Sequence, residues 1–123
     1  MFQDNLYSIH QHDILEGGLH RYTISFNSAH PIFAAHFPNR PIVPGACIVQ
    51  VVKELVEQQL SNPLNIIEVK NVKFTELILP ISHFCYLFDV VVTPIENRFA
   101  VKAIVTLSDG NKCFTKLSMM LTR

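Results

Sequence analysis

Hydrophobic and polar residues alternate along most of the chain, with the period of two that is typical of β-strands. This alternation predicts two strands near the N-terminus, over residues 6–15 and 19–27, which Gly17 and Gly18 join as a hairpin. It predicts four further strands over residues 66–75, 84–93, 99–107 and 113–121. Turn-forming residues separate the last three strands, so we expect these strands to be antiparallel neighbours.

One long stretch has the spacing of a helix instead. Between Gly45 and Leu60 there is no proline, and the first two turns are apolar on nearly every side, which predicts burial on several sides. Gln50 is the one polar residue in this apolar half, and Pro63 follows the helix end. The element order β-β-α-β-β-β-β predicts a single α+β domain over residues 1–123, with a curved antiparallel sheet wrapped round one long helix.

The alternation in the first strand places His10 and His12 on one face, together with Leu6 and Ser8. Two histidines on one face are half of a metal site. The sequence offers no third ligand at a matching spacing, so we interpret the two histidines as a surface pair and predict no metal and no cofactor.

The composition narrows the possible functions. Ten basic residues balance ten acidic ones, so there is no basic surplus to neutralise a nucleic-acid backbone. Hydrophobic residues make up 49% of the chain and charged residues only 16%, and we expect part of this apolar surplus to lie in an interface or a ligand tunnel. No apolar run is long enough to span a membrane.

The three cysteines are odd in number and far apart, which is against structural zinc and against a disulfide framework. Reduced thiols in a cytoplasmic protein are the simplest interpretation. The first residues carry neither the basic nor the apolar part of a secretory signal, which also favours the cytoplasm. Cys47 lies near the helix start, but no histidine at a supporting spacing marks it as a nucleophile, so we expect it to be a small buried apolar residue.

The loop before the helix has the most specific pattern in the chain, His36-x-Pro38-x-x-Pro41-x-x-Pro44-Gly45. Its three prolines fix the backbone and exclude a helix or a central strand before the glycine. The loop therefore leads from a single histidine to a helix N-terminus. Unpaired amides and the helix dipole stabilise negative charge there.

This motif, followed by a long apolar helix, closely resembles that of the bacterial 3-hydroxyacyl-[acyl-carrier-protein] dehydratases, which are hotdog-fold proteins of fatty acid and polyketide synthesis. Residues 69–80 look like the third strand of that family and the turn after it, and residues 114–123 resemble its last strand. The resemblance implies a hotdog fold and a homodimer or dimer-based oligomer with each site between subunits. It also implies an acyl thioester on the phosphopantetheine of an acyl carrier protein, held in an apolar tunnel along the helix.

By motif position, the resemblance makes His36 the base that removes the substrate α-proton and the Gly45 amide the donor to the thioester carbonyl. The family's helix carboxylate lies five residues after the glycine, where this chain has Gln50. An amide has no proton to give as an acid, but it can hold a hydroxyl or a water. The neighbours of the base and of the helix start are expected to contact the substrate: Phe37, Pro44 and Ala46.

Other carboxylates follow Gln50 on roughly the same helix face, at Glu54 and Glu57. Glu54 lies ~6 Å further along the axis, too far to replace the missing acid directly, so we interpret both as solvated charges near the helix end. Gln50 itself has two interpretations of equal weight, a substrate contact or a buried amide with its own hydrogen-bond partner. Arg40 is able to meet an acidic carrier protein or its phosphate, but an exposed loop charge is the simpler interpretation.

Three functions follow from this pattern. The first is dehydration of a 3-hydroxyacyl thioester to the trans-2-enoyl thioester. The second is a non-catalytic acyl-binding subunit, or a heteromeric partner of an active dehydratase that carries the carboxylate. The third is an acyl thioesterase, in which a bound water attacks the thioester carbonyl. Such an enzyme normally needs a nearby carboxylate too, and we rank it last because the proline pattern belongs to dehydratases.

Overall fold

The computed structural model describes residues 2–35, 39, 41–81, 84–108 and 112–123. Its helices and strands are β1 (Tyr7–Ile14), β2 (Leu19–Phe26), α1 (Pro31–Ala35), α2 (Gly45–Leu60), β3 (Asn65–Phe74), β4 (Tyr86–Ile95), β5 (Arg98–Leu107) and β6 (Cys113–Thr122). A 3-10 turn, Glu16–Gly18, joins β1 to β2. Every predicted strand and the predicted long helix are present, with boundaries that differ by at most two residues.

The strands form one antiparallel sheet in the order β1-β2-β4-β5-β6-β3. Tyr22, Ile24 and Phe26 of β2 are buried on the inner face, as their alternation predicts. Alternate residues of the neighbouring strands share this face with them: Tyr86, Phe88, Val90, Phe99, Val101, Ala103, Val105, Thr115, Leu117, Met119 and Leu121. The sheet wraps round α2, which confirms the predicted architecture.

The core lies between the sheet and the buried face of α2, which comprises Cys47, Ile48, Val51, Val52, Glu54, Leu55 and Val56. Burial raises the pKa of the Cys47 thiol, which fits an apolar packing role and not a nucleophile. At the helix end, Ser61 adopts the left-handed conformation (φ 53°) and donates its amide hydrogen to the Gln58 carbonyl. Neither α2 nor any other helix within the described ranges is long and apolar enough to cross a membrane.

The prediction of which side chains of β1 share a face is wrong for the second half of the strand. A bulge midway along the strand shifts its register against β2, and such a shift moves the following side chains to the other face. His12 consequently lies opposite Tyr22, with ring centroids 4.2 Å apart, and its Nε2 is 2.8 Å from His20 Nδ1. His10 contacts Ser25 Oγ instead, at 2.6 Å. The two histidines predicted to share a face therefore lie apart.

β3 is an edge strand and is exposed along its whole length. Its large apolar side chains have between 36% and 47% of their surface exposed: Ile66, Ile67, Val69, Val72 and Phe74. Leu77 and Leu79 extend this apolar surface into the segment that follows the strand. A long apolar edge strand is a template for pairing with another chain. Part of the apolar surplus seen in the composition therefore lies on this edge.

A repulsive cross-strand pair lies next to this edge, because Lys73 of β3 is the register partner of Lys116 of β6. Both side chains are exposed, and neither forms an ion pair with a described residue. Like charges directly opposite each other destabilise a sheet, so Lys116→Glu is expected to raise the free energy of unfolding by about 0.5 kcal/mol, measured by chemical denaturation. Lys102→Glu is the matched control, because its partner on β6 is the uncharged Ser118. An equal gain in both variants would assign the effect to net charge instead.

Candidate active site

The start of α2 has the geometry that the proline loop predicts. Pro44 is extended (φ −60°, ψ 146°), and its carbonyl accepts hydrogen bonds from the Cys47 and Ile48 amides. The amides of Gly45 and Ala46 precede these first helical bonds and so lie outside the helix ladder. Two amides at the positive end of a helix dipole are suited to an oxygen that gains negative charge during a reaction.

An apolar cavity of about 270 Å³ opens beside this helix start. The residues that line it are Ile42, Val43, Pro44, Gly45, Ile48, Phe74, Glu76, Leu77 and Ile78. It shares Ile42 and Leu77 with an adjoining apolar cavity of about 260 Å³ that reaches Pro80 and Ile81. The Val43 amide donates to the Ile78 carbonyl at 2.8 Å and ties the proline loop to the far wall. An apolar space beside a helix start suits a ligand with an apolar chain and a polar head.

Phe74 forms the wall of this cavity next to the helix start. A Cβ placed on Gly45 would lie 2.8 Å from Phe74 Cζ, well inside van der Waals contact. Glycine therefore lets the ring approach the helix, and any side chain at position 45 displaces it. The sequence motif identified Gly45 but not Phe74, because only the sheet order brings the end of β3 to this place.

The structure brings only part of the predicted site together. Pro44 and Gly45 line the cavity, whereas Ala46 is exposed beside it. Gln50 is half-buried one turn further along α2 and is not among the residues that line either apolar cavity. Four residues singled out from the sequence lie outside the described part of the chain: His36, Phe37, Pro38 and Arg40.

A buried carboxylate lies one turn beyond Gln50. Glu54 is 8% exposed, and its Oε2 accepts a hydrogen bond from Gln50 Nε2 at 2.9 Å. Its Oε1 accepts from the Phe2 amide at 2.9 Å, from the Gln3 amide at 3.2 Å and from the Tyr7 hydroxyl at 3.2 Å. The prediction of a solvated charge is therefore wrong for Glu54, because the N-terminal segment folds back onto the helix.

Glu57 is also held in place and is not a freely solvated charge. Its Oε2 accepts a hydrogen bond from the Leu64 amide at 2.8 Å and forms an ion pair with Lys53 Nζ at 3.2 Å. These contacts close the loop that follows α2. Glu57 therefore stabilises the end of the helix and, with 22% of its side-chain surface exposed, is only partly the solvated charge that was predicted.

Glu54 is an anion at neutral pH. Burial raises the pKa of its carboxyl, but hydrogen bonds from Gln50, the Phe2 amide and Tyr7 outweigh burial and bring the pKa below its usual 4.5. Burial, and after it the Glu54 carboxylate, raise the pKa of the Tyr7 hydroxyl, which stays protonated and donates. The Glu54 carboxylate therefore accepts strong hydrogen bonds, and neither Glu54 nor Tyr7 acts as an acid near neutral pH.

Glu54→Leu is expected to lower the free energy of unfolding by about 2–3 kcal/mol, since buried donors lose their acceptor. The Tyr7 hydroxyl has no route to water, because that residue is 1% exposed. Chemical denaturation at neutral pH measures the loss. Glu54→Gln keeps an oxygen acceptor and should lose clearly less. A loss in Glu54→Leu of under about 0.5 kcal/mol would contradict the importance of these hydrogen bonds.

The same cluster predicts the direction of a pH effect. Because folding lowers the pKa of Glu54, its contribution to stability is present above the unfolded value of 4.5 and is lost as the pH falls through the folded pKa. The stability difference between the wild type and Glu54→Gln should therefore shrink as the pH is lowered below 4.5. A difference that stays constant on acidification would mean that the pKa of Glu54 is not lowered.

Comparison with known proteins identifies a family and several solved structures that this chain resembles. A family model described as ApeI-like, ApeI dehydratase, matches residues 12–109. A comparison with curated protein sequences found no match. Among solved structures, the dehydratase heterocomplex ApeI:P from Xenorhabdus doucetiae gives a TM-score of 0.76 at 15% identity, covering 94% of this chain and 97% of that chain.

Two further structures extend the likeness. The (R)-hydratase from A. caviae involved in PHA biosynthesis gives a TM-score of 0.63 at 15% identity, covering 94% of this chain and 96% of that chain. A hypothetical thioesterase protein with coenzyme A from Streptococcus pneumoniae TIGR4 gives 0.64 at 7% identity, covering 98% and 90%. At such identities the likeness shows the fold alone, and it confirms the predicted hotdog fold.

Proposed function

Because the chain belongs to the ApeI-like dehydratase family, we propose that it converts a 3-hydroxyacyl thioester to the trans-2-enoyl thioester. The observation that carries this proposal is the apolar cavity that Pro44 and Gly45 line at the start of α2. The acyl chain would occupy the cavity between Ile48 and Phe74. The thioester carbonyl would accept a hydrogen bond from the Gly45 amide.

In the proposed reaction His36 removes the α-proton, since neutral imidazole is a suitable base near pH 7. The electrons of the C2–H bond move towards the thioester oxygen, where the Gly45 amide and the helix dipole stabilise the charge. The C3–O bond then breaks, and the leaving hydroxide needs a proton. Gln50 holds the hydroxyl but has no proton to give as an acid. The proton therefore comes from the His36 imidazolium or a bound water, and loss of the hydroxyl is slow.

We propose that residues 1–123 act as a single hotdog domain and that the complete site lies between two subunits. Gln50 lies on a half-exposed part of α2 and does not line the cavities of its own chain. The exposed edge strand β3 offers the pairing surface. In the dehydratases that this motif resembles, the histidine of one subunit faces the helix carboxylate of the other subunit, at the position where this chain has Gln50. A homodimer or dimer-based oligomer would bring His36 to Gln50 in this way.

The proposed substrate carrier is an acyl carrier protein with a phosphopantetheine thioester, in fatty acid or polyketide-type biosynthesis. The motif from His36 to Gly45 supports this choice through its resemblance to dehydratases that use such carriers. The acyl chain of such a substrate needs an apolar site, and the two adjoining apolar cavities support this choice.

The amide at position 50 favours a second candidate, a subunit that pairs with a dehydratase homologue. If the helix of that homologue carries a carboxylate, then His36 of this chain would face the carboxylate across the interface. The dehydratase heterocomplex ApeI:P, which has a similar fold, provides a precedent for a heteromer. Co-expression with a homologue, followed by size-exclusion chromatography and an activity assay, separates the two candidates. A mixture that is far more active than either protein alone would favour the heteromer.

The experiment that tests the proposal is product identification. The purified protein is incubated with 3-hydroxyacyl carrier thioesters of several chain lengths, and the products are analysed by mass spectrometry and by a thiol reagent. We expect the mass of the thioester to fall by one water, with no thiol released. Release of thiol and free acid would support the thioesterase. No product at any chain length, with and without a homologue, would contradict dehydration.

A further inference from the structure

We propose that Glu54 is a positioning residue that makes position 50 selective for a ligand group that donates a hydrogen bond. A 3-hydroxyacyl thioester carries such a donor, whereas a 3-oxoacyl thioester presents only an acceptor at the same carbon. The inference rests on the proposed function, because it takes Gln50 to contact the acyl ligand. It assigns a substrate preference to a carboxylate that is one turn away from that contact.

The orientation of the Gln50 amide follows from the chemistry of its partner. An ionised carboxylate only accepts hydrogen bonds, so the atom 2.9 Å from Glu54 Oε2 is the amide nitrogen. Turning the amide round would bring its oxygen against that carboxylate. The Gln50 oxygen accepts no hydrogen bond from any residue that the structure describes. It is left as an acceptor for a ligand.

Glu54 is itself held against rotation. The Phe2 amide lies 2.9 Å from Oε1 and 3.2 Å from Oε2, so it spans both oxygens. The Gln3 amide and the Tyr7 hydroxyl each reach Oε1 at 3.2 Å. Rotation of the carboxylate would break several of these bonds at a residue that is 8% exposed. The N-terminal segment thereby fixes Glu54, and Glu54 fixes Gln50.

A fixed amide discriminates where a mobile one does not. A mobile glutamine turns its nitrogen or its oxygen towards a ligand as required, whereas Gln50 in this arrangement offers oxygen alone. A 3-hydroxyl donates to that oxygen. The oxygen of a 3-oxo group would face the Gln50 oxygen, and both atoms are hydrogen-bond acceptors with no donor between them. A site loses affinity when desolvated polar groups stay unpaired in this way. We expect a preference of at least about tenfold for the hydroxyl, which corresponds to one charge-oriented hydrogen bond.

Binding of unreactive analogues tests this inference. Calorimetry measures the Kd of three pantetheine amides, in which nitrogen replaces the thioester sulfur: 3-hydroxyacyl, 3-oxoacyl and unsubstituted acyl. The wild type should bind the 3-hydroxyacyl amide at least about tenfold more tightly than the 3-oxoacyl amide. Glu54→Gln keeps an oxygen for Phe2 and Tyr7, but its nitrogen then faces Gln50 and no longer holds the Gln50 oxygen towards the ligand. In that variant the ratio should fall to about threefold or less, while the Kd of the unsubstituted amide changes little.

Two further variants guard against a simple folding defect. Gln50→Leu leaves Glu54 in place but removes the acceptor, and it should lose the preference as well. Lys53→Met, on the next position of the same half-exposed helix face, should keep it. Equal wild-type affinity for the two 3-substituted amides, or an unchanged ratio in Glu54→Gln, would overturn the inference while the proposed function stands. No binding of any acyl amide would contradict the proposed function, and the inference with it.

Discussion

His36→Ala should lower the rate of enoyl formation by about 10²–10⁴-fold, which is the usual contribution of one positioned base. The loop from His36 to Gly45 is set by prolines, and its described end delivers Pro44 and Gly45 to the wall of the apolar cavity. In the proposed reaction the base comes from the other end of this proline loop, and the carbonyl is bound at Gly45. The initial rate, measured at saturating substrate, reports the loss.

The control for His36→Ala is another histidine of the chain. His10→Ala removes an imidazole on β1 that contacts Ser25 on β2, and it should leave the rate unchanged. A wild-type rate in His36→Ala would remove His36 from the mechanism. An equal fall in both variants would mean that the loss reflects folding, which circular dichroism of the two proteins would also show.

The second large effect is expected from Gln50→Glu, which should raise the rate of enoyl formation by about 10²–10⁴-fold. The new carboxyl would lie next to Glu54, whose Oε2 is 2.9 Å from the present Gln50 nitrogen. Two carboxylates this close repel each other, and the pKa of one of them rises. The proton shared by the pair would then be available to the leaving hydroxyl near neutral pH.

Glu54 provides the matched control for this variant. In the double variant Gln50→Glu/Glu54→Gln the second negative charge is gone and an amide again bonds to a carboxylate, with the donor and the acceptor exchanged. The pKa of the carboxyl at position 50 should then be lower, so the gain in rate should move to lower pH. No gain in either variant, at any pH, would contradict the view that position 50 is where the acid is missing.

Much of the fold follows from local patterns. Alternation defines the strands most clearly in β2, β4, β5 and β6, because each of these buries one face in the core. The stretch between Pro44 and Pro63 defines the helix, and its boundaries are those predicted. The face of His12 was not predictable in the same way. One extra residue in a bulge reverses the alternation, and no glycine or proline marks that bulge.

The candidate site was predictable where it is local and not where it depends on the sheet order. Gly45 and Gln50 follow from the motif, because both belong to one loop and one helix. Phe74 meets Gly45 only because β3 pairs with β6 at the edge of the sheet. Glu54 is buried only because the first residues of the chain fold onto α2. Such long-range contacts have no period in the sequence.

The central claim is that this chain carries the base of a dehydratase and lacks its acid, so that removal of the α-proton outpaces loss of the hydroxyl. Deuterium exchange tests it directly. The wild type is incubated with a 3-hydroxyacyl thioester in D₂O, and mass spectrometry follows deuterium at C2 of the recovered substrate together with enoyl product. We predict that deuterium enters C2 faster than the enoyl thioester forms, and that His36→Ala suppresses both. Enoyl formation without excess deuterium in the recovered substrate would contradict the claim.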